Sequence, residues 1–254
     1  MLRLRCAFAL LLAFVPALAA APAAREAADG ITLENGVVSA AFAAKSNYVP
    51  TDLHRLPDGP NVLALCILSY TVEGAKYWYQ DNKTDGEYGL KPVATRVEKG
   101  ADFARLVVTY PAAGEPKHFR ITRTYTLREG SPVLECDYRI EAAAEVALRG
   151  GLTVPLVWFA PRLSHGAAPR GGGSVVIGPA EAVRRDAGAA PWVAAFDPES
   201  GEGMLFCLPG GQPQVGRSKE MLSVACAGLA EGKVAAGTKA EVAFGLGVLA
   251  GKPL

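Results

Sequence analysis

The sequence is poor in the residues from which catalytic and metal centres are most often built. Histidine occurs three times, at His54, His118 and His165, and no cysteine or histidine spacing matches a zinc motif. Blocks of like charge are missing too. The 26 Lys and Arg and 25 Asp and Glu are scattered and leave a net charge of +1, which argues against nucleic acid or an acidic membrane surface as the main partner. After the first two dozen residues no apolar run reaches the ~20 residues of a membrane span. Nor does any long segment repeat its apolar residues every three or four positions; "GPAEAVRRDAGAA" (178–190) has room for one or two helical turns. Small molecules, neutral polymers and proteins remain as partners, and no cofactor is expected.

The one long apolar run is at the start. Arg3 and Arg5 form a positive n-region, residues 6–15 an apolar stretch, and Ala17-Leu18-Ala19 a small-x-small site. This reads as a signal peptide over 1–19, cleaved between 19 and 24, which makes the mature chain periplasmic or secreted and without a membrane span. A flexible segment is expected over 20–29 and a single β-sandwich domain over 30–254. Cys66, Cys136, Cys207 and Cys226 remain after cleavage. An even count permits two disulfides in three connectivities, yet each cysteine lies in an apolar stretch where a free thiol acts as a small core hydrophobe.

Glycine and proline, by contrast, are plentiful at 28 and 18, and they cut the chain into short segments that alternate apolar and polar residues. This is the pattern of an all-β protein. Strands are expected at 30–34, 37–43, 62–72, 76–79, 90–97, 104–110, 119–127, 133–141, 146–159, 174–177, 192–196, 204–208, 222–226 and 240–249. So many short strands require two stacked sheets or a closed barrel.

The hairpin over 119–142 specifies its own register. Pairing Leu127 with Leu134 sets Tyr125 opposite Cys136, Arg123 opposite Tyr138, Ile121 opposite Ile140 and Phe119 opposite Ala142 on one face. The other face then pairs Thr126 with Glu135, Thr124 with Asp137, Thr122 with Arg139 and Arg120 with Glu141. A slip of one residue would mix the faces. Arg123 is the odd member of the apolar face, expected to snorkel to the edge with Tyr138 on its stem. The polar face reads as solvated surface, or as a ligand cradle if the sheet is concave.

Candidate chemistry is thin. In "KYWYQDNKTDGEYG" (76–89), Tyr77 and Tyr79 point to one face of a strand and Trp78 to the other. Aromatic rings stack on the apolar faces of sugars while Asp, Asn, Gln and Arg take the hydroxyls. Tyr77, Tyr79, Arg120, Arg139 and Asp137 are therefore the ligand candidates. A calcium loop fails at Lys83 and Pro92, leaving an irregular metal site at Asp81, Asp85 and Glu87 as the residual metal reading. His54, in a turn-rich loop beside Asp52 and Asp58, has the surroundings of a general base. His118 begins the polar face of the hairpin, and His165 follows Ser164 in a glycine-rich loop. Glu135 and Asp137 lie two apart on one strand, about 6 to 7 Å from each other, within the span that glycoside hydrolysis uses. His54, His118 and Glu135 are the catalytic candidates.

Three stretches carry a family resemblance: "ITLENGVVSAAFAA" (31–44), "TRTYTLREGSPVLECDYRIE" (122–141) and "APWVAAFDPESGEGMLFCLPGG" (190–211). In order and pattern they resemble the galactose mutarotase-like β-supersandwich superfamily, which includes sugar epimerases, domains attached to polysaccharide lyases and glycoside hydrolases, and the periplasmic domain of the bacterial membrane-protein insertase. The resemblance implies an antiparallel two-sheet supersandwich and a carbohydrate or polysaccharide ligand. The epimerase motifs "Asn-Arg" and "His-x-Tyr-Phe-Asn" are absent, so it implies a non-catalytic accessory domain. The insertase likeness implies a protein-interaction scaffold as the alternative, and a carbohydrate-active enzyme is a third reading.

Overall fold

A computed structural model describes residues 20–76, 78–83, 94–110, 118–169, 174–187, 190–209, 211, 213–218 and 221–250. The chain opens with β1 (Ala23–Ala27), β2 (Gly30–Glu34), β3 (Val38–Ala43) and β4 (Pro50–Arg55). Next come β5 (Leu63–Val72), β6 (Tyr79–Gln80), β7 (Ala94–Lys99), β8 (Phe103–Tyr110), β9 (Phe119–Arg128), β10 (Val133–Ala142) and β11 (Val146–Phe159). β12 (His165–Pro169), β13 (Val175–Pro179), α1 (Ala180–Ala187), β14 (Trp192–Phe196) and β15 (Gly203–Cys207) follow. β16 (Gln214–Ser218), β17 (Met221–Leu229), β18 (Gly232–Val234) and β19 (Lys239–Leu249) complete the described elements.

These strands form three sheets. The first four make a meander in the order β1-β2-β3-β4. A nine-stranded sheet runs β13-β12-β14-β15-β19-β10-β9-β8-β7, and a six-stranded sheet runs β16-β17-β11-β5-β6 with β18 beside β11. The large sheet is antiparallel throughout. It contains the predicted hairpin, beside its central strand β19, in the predicted register, from Leu134↔Leu127 to Ala142↔Phe119. The inward row of Ile121, Tyr125, Leu127, Leu134, Cys136, Tyr138 and Ile140 is buried, and Phe42 of the meander packs on Tyr125 with ring centroids 4.8 Å apart.

Asn35 links the meander to this hairpin. Its side chain is buried, with Nδ2 donating to the carbonyls of Arg128 (2.6 Å) and Ser131 (2.7 Å), while Oδ1 accepts from the backbone N–H groups of Val37 and Val38. One side chain thus satisfies the β2–β3 turn and the "REGSP" turn together, so two of the stretches that carry the family resemblance meet at a single amide. Gly36, at φ +80°, supplies the left-handed residue the first turn needs.

Several elements depart from the sequence expectation. Within the stretch 20–29 expected to be flexible, Ala23–Ala27 forms β1 and pairs with β2. His54 is on β4 and His165 on β12, where loops were expected. Both strands are rich in turn-forming or small residues and take their order from neighbouring ladders, a case of tertiary pairing overriding local preference. The four cysteines are free thiols, with Cys66, Cys136 and Cys226 buried.

Arg123 does not snorkel to an edge. It is fully buried, donates through Nη1 to Asp81 Oδ2 at 2.9 Å, hydrogen-bonds the Asn47 carbonyl, and lies over the Tyr110 ring at 4.5 Å. A guanidinium can stay in a core where a carboxylate, a carbonyl and an aromatic face surround it.

Candidate functional site

The polar face of the large sheet is organised by register into cross-strand rows. Arg120 stands opposite Glu141, and Glu141 opposite Lys239. One step along, Thr109 pairs with Thr122, Thr122 with Arg139, and Arg139 with Glu241. These seven side chains from β8, β9, β10 and β19 line one open depression of about 510 Å³. Arg120 Nη1 is 3.0 Å from Glu141 Oε1, whereas Lys239 reaches Glu141 at 3.9 Å and Arg139 reaches Glu241 at 3.7 Å. Two of the sequence candidates, Arg120 and Arg139, thus come together. No local signal marks Lys239 and Glu241, because the neighbour of β10 on its far side is a strand about a hundred residues away, and Thr109 comes from β8, outside the hairpin.

Asp137 lies further along the same face with Glu135, in a shallower groove of about 270 Å³ that also takes in Val133, Cys207, Ala243 and Gly245. A Cβ on Gly245 would meet Cys207 Sγ at 2.8 Å and Val133 Cγ1 at 3.0 Å, so the glycine lets the side chains of β10 and β15 lean together. Partial burial, and then the nearby Glu135 charge, hold the Asp137 carboxyl above its ordinary range. Glu135 is engaged by Arg128, whose Nε is 2.9 Å and 3.2 Å from its two oxygens. This is structural pairing rather than a free acid or base.

Tyr79 belongs to the core and not to the open face. Its ring stacks on Tyr70 at 5.0 Å with 22° between planes, and His118 meets it edge-on at 5.3 Å. The alternation puts Trp78 outward, where it is 54% exposed. Tyr77 lies outside the described residues. Of the metal candidates, Asp85 and Glu87 also lie outside them, and Asp81 is the buried counter-ion of Arg123, taking a further hydrogen bond from the Leu68 N–H at 2.9 Å. Burial pushes the Asp81 carboxyl up to about 6, against the opposing pull of Arg123. Among the described residues no group of three or more His, Cys, Asp or Glu side chains is placed to hold a metal ion.

The three catalytic candidates, and His165 with them, stand on different elements. His54, on the four-stranded sheet, pairs through Nδ1 with Asp52. His118, just before β9, faces the Tyr70 hydroxyl at 3.4 Å. Glu135 is on β10, and His165 on β12 is 3.1 Å from the Ser164 hydroxyl. No pair of these four residues makes the close contact that a shared acid–base centre requires.

Solved structures share this architecture across most of the chain. The galactosidase domain of an α-galactosidase–sucrose kinase aligns over 91% of this chain with a TM-score of 0.62 at 9% identity, and a GH36 α-galactosidase from Geobacillus stearothermophilus over 91% with 0.58 at 13%. The likeness is one of fold, an antiparallel β-supersandwich. A TPR-domain containing protein from Parabacteroides distasonis matches the supersandwich over 89% of this chain with a TM-score of 0.55 at 9% identity. The chain spans 42%, 41% and 47% of those three proteins in turn. No family model matches the chain, and no curated protein does.

Proposed function

We propose that this supersandwich is an exported, non-catalytic carbohydrate-binding or polysaccharide-handling domain whose ligand lies in the depression over β8, β9, β10 and β19. The observation that carries the reading is the convergence of Arg120, Arg139 and Thr122 with Glu141, Lys239 and Glu241 in one open site on a fold shared with α-galactosidase domains. Hydroxyl-rich ligands need many directional donors and acceptors held on a rigid support, and adjacent strands provide one. Trp78, 54% exposed, is not part of the described lining of this depression, so a ligand would stack on it only by extending beyond the site. Export is supported by Arg3, Arg5 and the apolar run before Ala19. Among the described residues no helix is long and apolar enough to cross a membrane.

Glycan-array binding of the full chain tests the reading, alongside the Arg120→Ala, Arg139→Ala double variant. Both substitutions are on exposed side chains, so the fold is expected to persist while binding is lost. Undiminished binding by the double variant moves the ligand elsewhere, and no binding by the parent removes the saccharide reading.

A second reading, a protein-interaction scaffold, is favoured by one contrast. The edge strand β7, "ATRVEK", carries three charges, whereas the opposite edge β13, "VVIGP", carries none and leaves Val175 48% and Ile177 69% exposed. An uncharged edge invites an added strand. It predicts capture of an extended polypeptide that Ile177→Lys abolishes.

A further inference from the structure

The depression over β8, β9, β10 and β19 has a charge and a shape that narrow the class of sugar, if the saccharide reading holds. Its described lining carries three cations, Arg120, Arg139 and Lys239, against two carboxylates, Glu141 and Glu241. The site therefore holds one cation in excess. The pairing is uneven as well. Glu141 is shared, with Arg120 at 3.0 Å and Lys239 at 3.9 Å, and Arg139 stands 3.7 Å from Glu241. Arg139 and Lys239 are the most open of the three, with side chains 76% and 72% exposed.

Neutral sugars are held largely by stacking their apolar faces on aromatic rings. Among the described residues the only ring lining this depression is Tyr110, which is 2% exposed, with Arg123 over its ring and its hydroxyl donating to the Asn47 carbonyl at 2.6 Å. It offers no stacking face here. What the site offers instead is a planar guanidinium fork and an ammonium, both weakly held by their present partners, beside threonine hydroxyls. A guanidinium binds a carboxylate through two parallel hydrogen bonds, and such charge-assisted bonds are about twice as strong as neutral ones.

We propose that the ligand of this depression is an anionic saccharide, a glycan bearing carboxylate or sulfate groups. The anion sits between Arg139 and Lys239, displacing Glu241 from the first and Glu141 from the second, while Arg120 keeps Glu141. Glu141 and Glu241 then act as internal competitors that set the affinity.

Titration calorimetry on the purified full chain tests this with three probes: trigalacturonate, its fully methyl-esterified form, and a sulfated galactose trisaccharide. The acid form is expected to bind roughly tenfold more tightly than its ester at low salt, with the preference shrinking in about 0.5 M NaCl as exposed charges are screened. Binding confined to the sulfated probe assigns sulfate as the anion, binding confined to trigalacturonate assigns carboxylate, and comparable binding of both assigns a site that takes either anion. Arg139→Gln with Lys239→Gln brings the affinity for the acid form down to that of the ester. Glu241→Gln is expected to tighten binding about threefold by freeing Arg139, a gain that a misfolded variant cannot produce. Equal binding of acid and ester overturns the anionic assignment and leaves the saccharide reading standing. If none of the three probes binds and a neutral glycan array is also blank, both fall.

Discussion

Arg123 and Asp81 form an ion pair 2.9 Å long in which neither side chain is exposed to solvent. The pair joins β9 to the segment that follows β6. Arg123 also bonds the Asn47 carbonyl, and Asn47 Nδ2 donates to the Lys83 carbonyl at 2.7 Å. Three stretches distant in sequence are tied at one buried charge, and β6, which follows Trp78 directly, leads into this anchor at Asp81.

Removing one member of the pair leaves the other charge buried and uncompensated. Arg123→Met is expected to lower the unfolding free energy by about 3 to 5 kcal/mol, and Asp81→Asn to act in the same direction. Combining Arg123→Met with Asp81→Leu should recover a large part of the loss, because no lone charge remains. Urea midpoints of the three variants decide the matter, and a double variant no better than Arg123→Met alone would show that the pair's shape, not its charge, is what counts.

The pH dependence of the pair has a definite sign. Burial raises the folded Asp81 value to about 6, above the ordinary 3.8. The folded protein therefore binds more protons than the unfolded chain between these values. Its stabilising contribution is fully present below the ordinary value and is lost as pH rises through about 6. Stability of the parent relative to Asp81→Asn should accordingly fall between about pH 4 and 6.5. A relative stability that instead climbs over that interval means that Arg123 outweighs burial.

Asn35 makes four hydrogen bonds that serve two turns at once. Asn35→Ala strands buried backbone groups and is expected to cost about 2 to 4 kcal/mol. Asn35→Asp should be at least as harmful, since a carboxylate oxygen would then face the carbonyls of Arg128 and Ser131. Thermal or urea unfolding of the two variants checks the order.

Trp78 and Tyr79 are neighbours with opposite roles. Trp78→Ala, at an exposed position, should change stability by no more than about 0.5 kcal/mol. Tyr79→Ala removes a ring packed on Tyr70 and His118 and should cost about 3 kcal/mol or more. If Trp78→Ala weakens glycan binding at unchanged stability, the outward ring belongs to the ligand surface.

The hairpin could be read residue by residue because a strand has a period of two and one of its faces is buried. Only one pairing keeps Ile121, Tyr125, Leu127, Leu134, Cys136 and Ile140 together. The same local reasoning placed Arg120 and Arg139 on one polar face. It stopped at the hairpin's edges, since alternation says which residues share a face and not which distant strand lies alongside. β19 brings Lys239 and Glu241 to Arg139, and nothing within 119–142 encodes that neighbour. The fate of polar residues on an apolar face was equally hidden, and Arg123 stays buried only because Asp81, Asn47 and Tyr110 arrive from other strands and turns.

By itself, then, the sequence determined the all-β class, the register of its central hairpin and the family-like order of its turns, all of which follow from local periodicity and turn chemistry. The tertiary structure alone decided that Tyr79 faces in and Trp78 out, that Asp81 is the buried counter-ion of Arg123, and that three strands pool their charges in one depression. Those outcomes depend on non-local pairing, in which each side chain's partner is chosen by the packing of whole sheets.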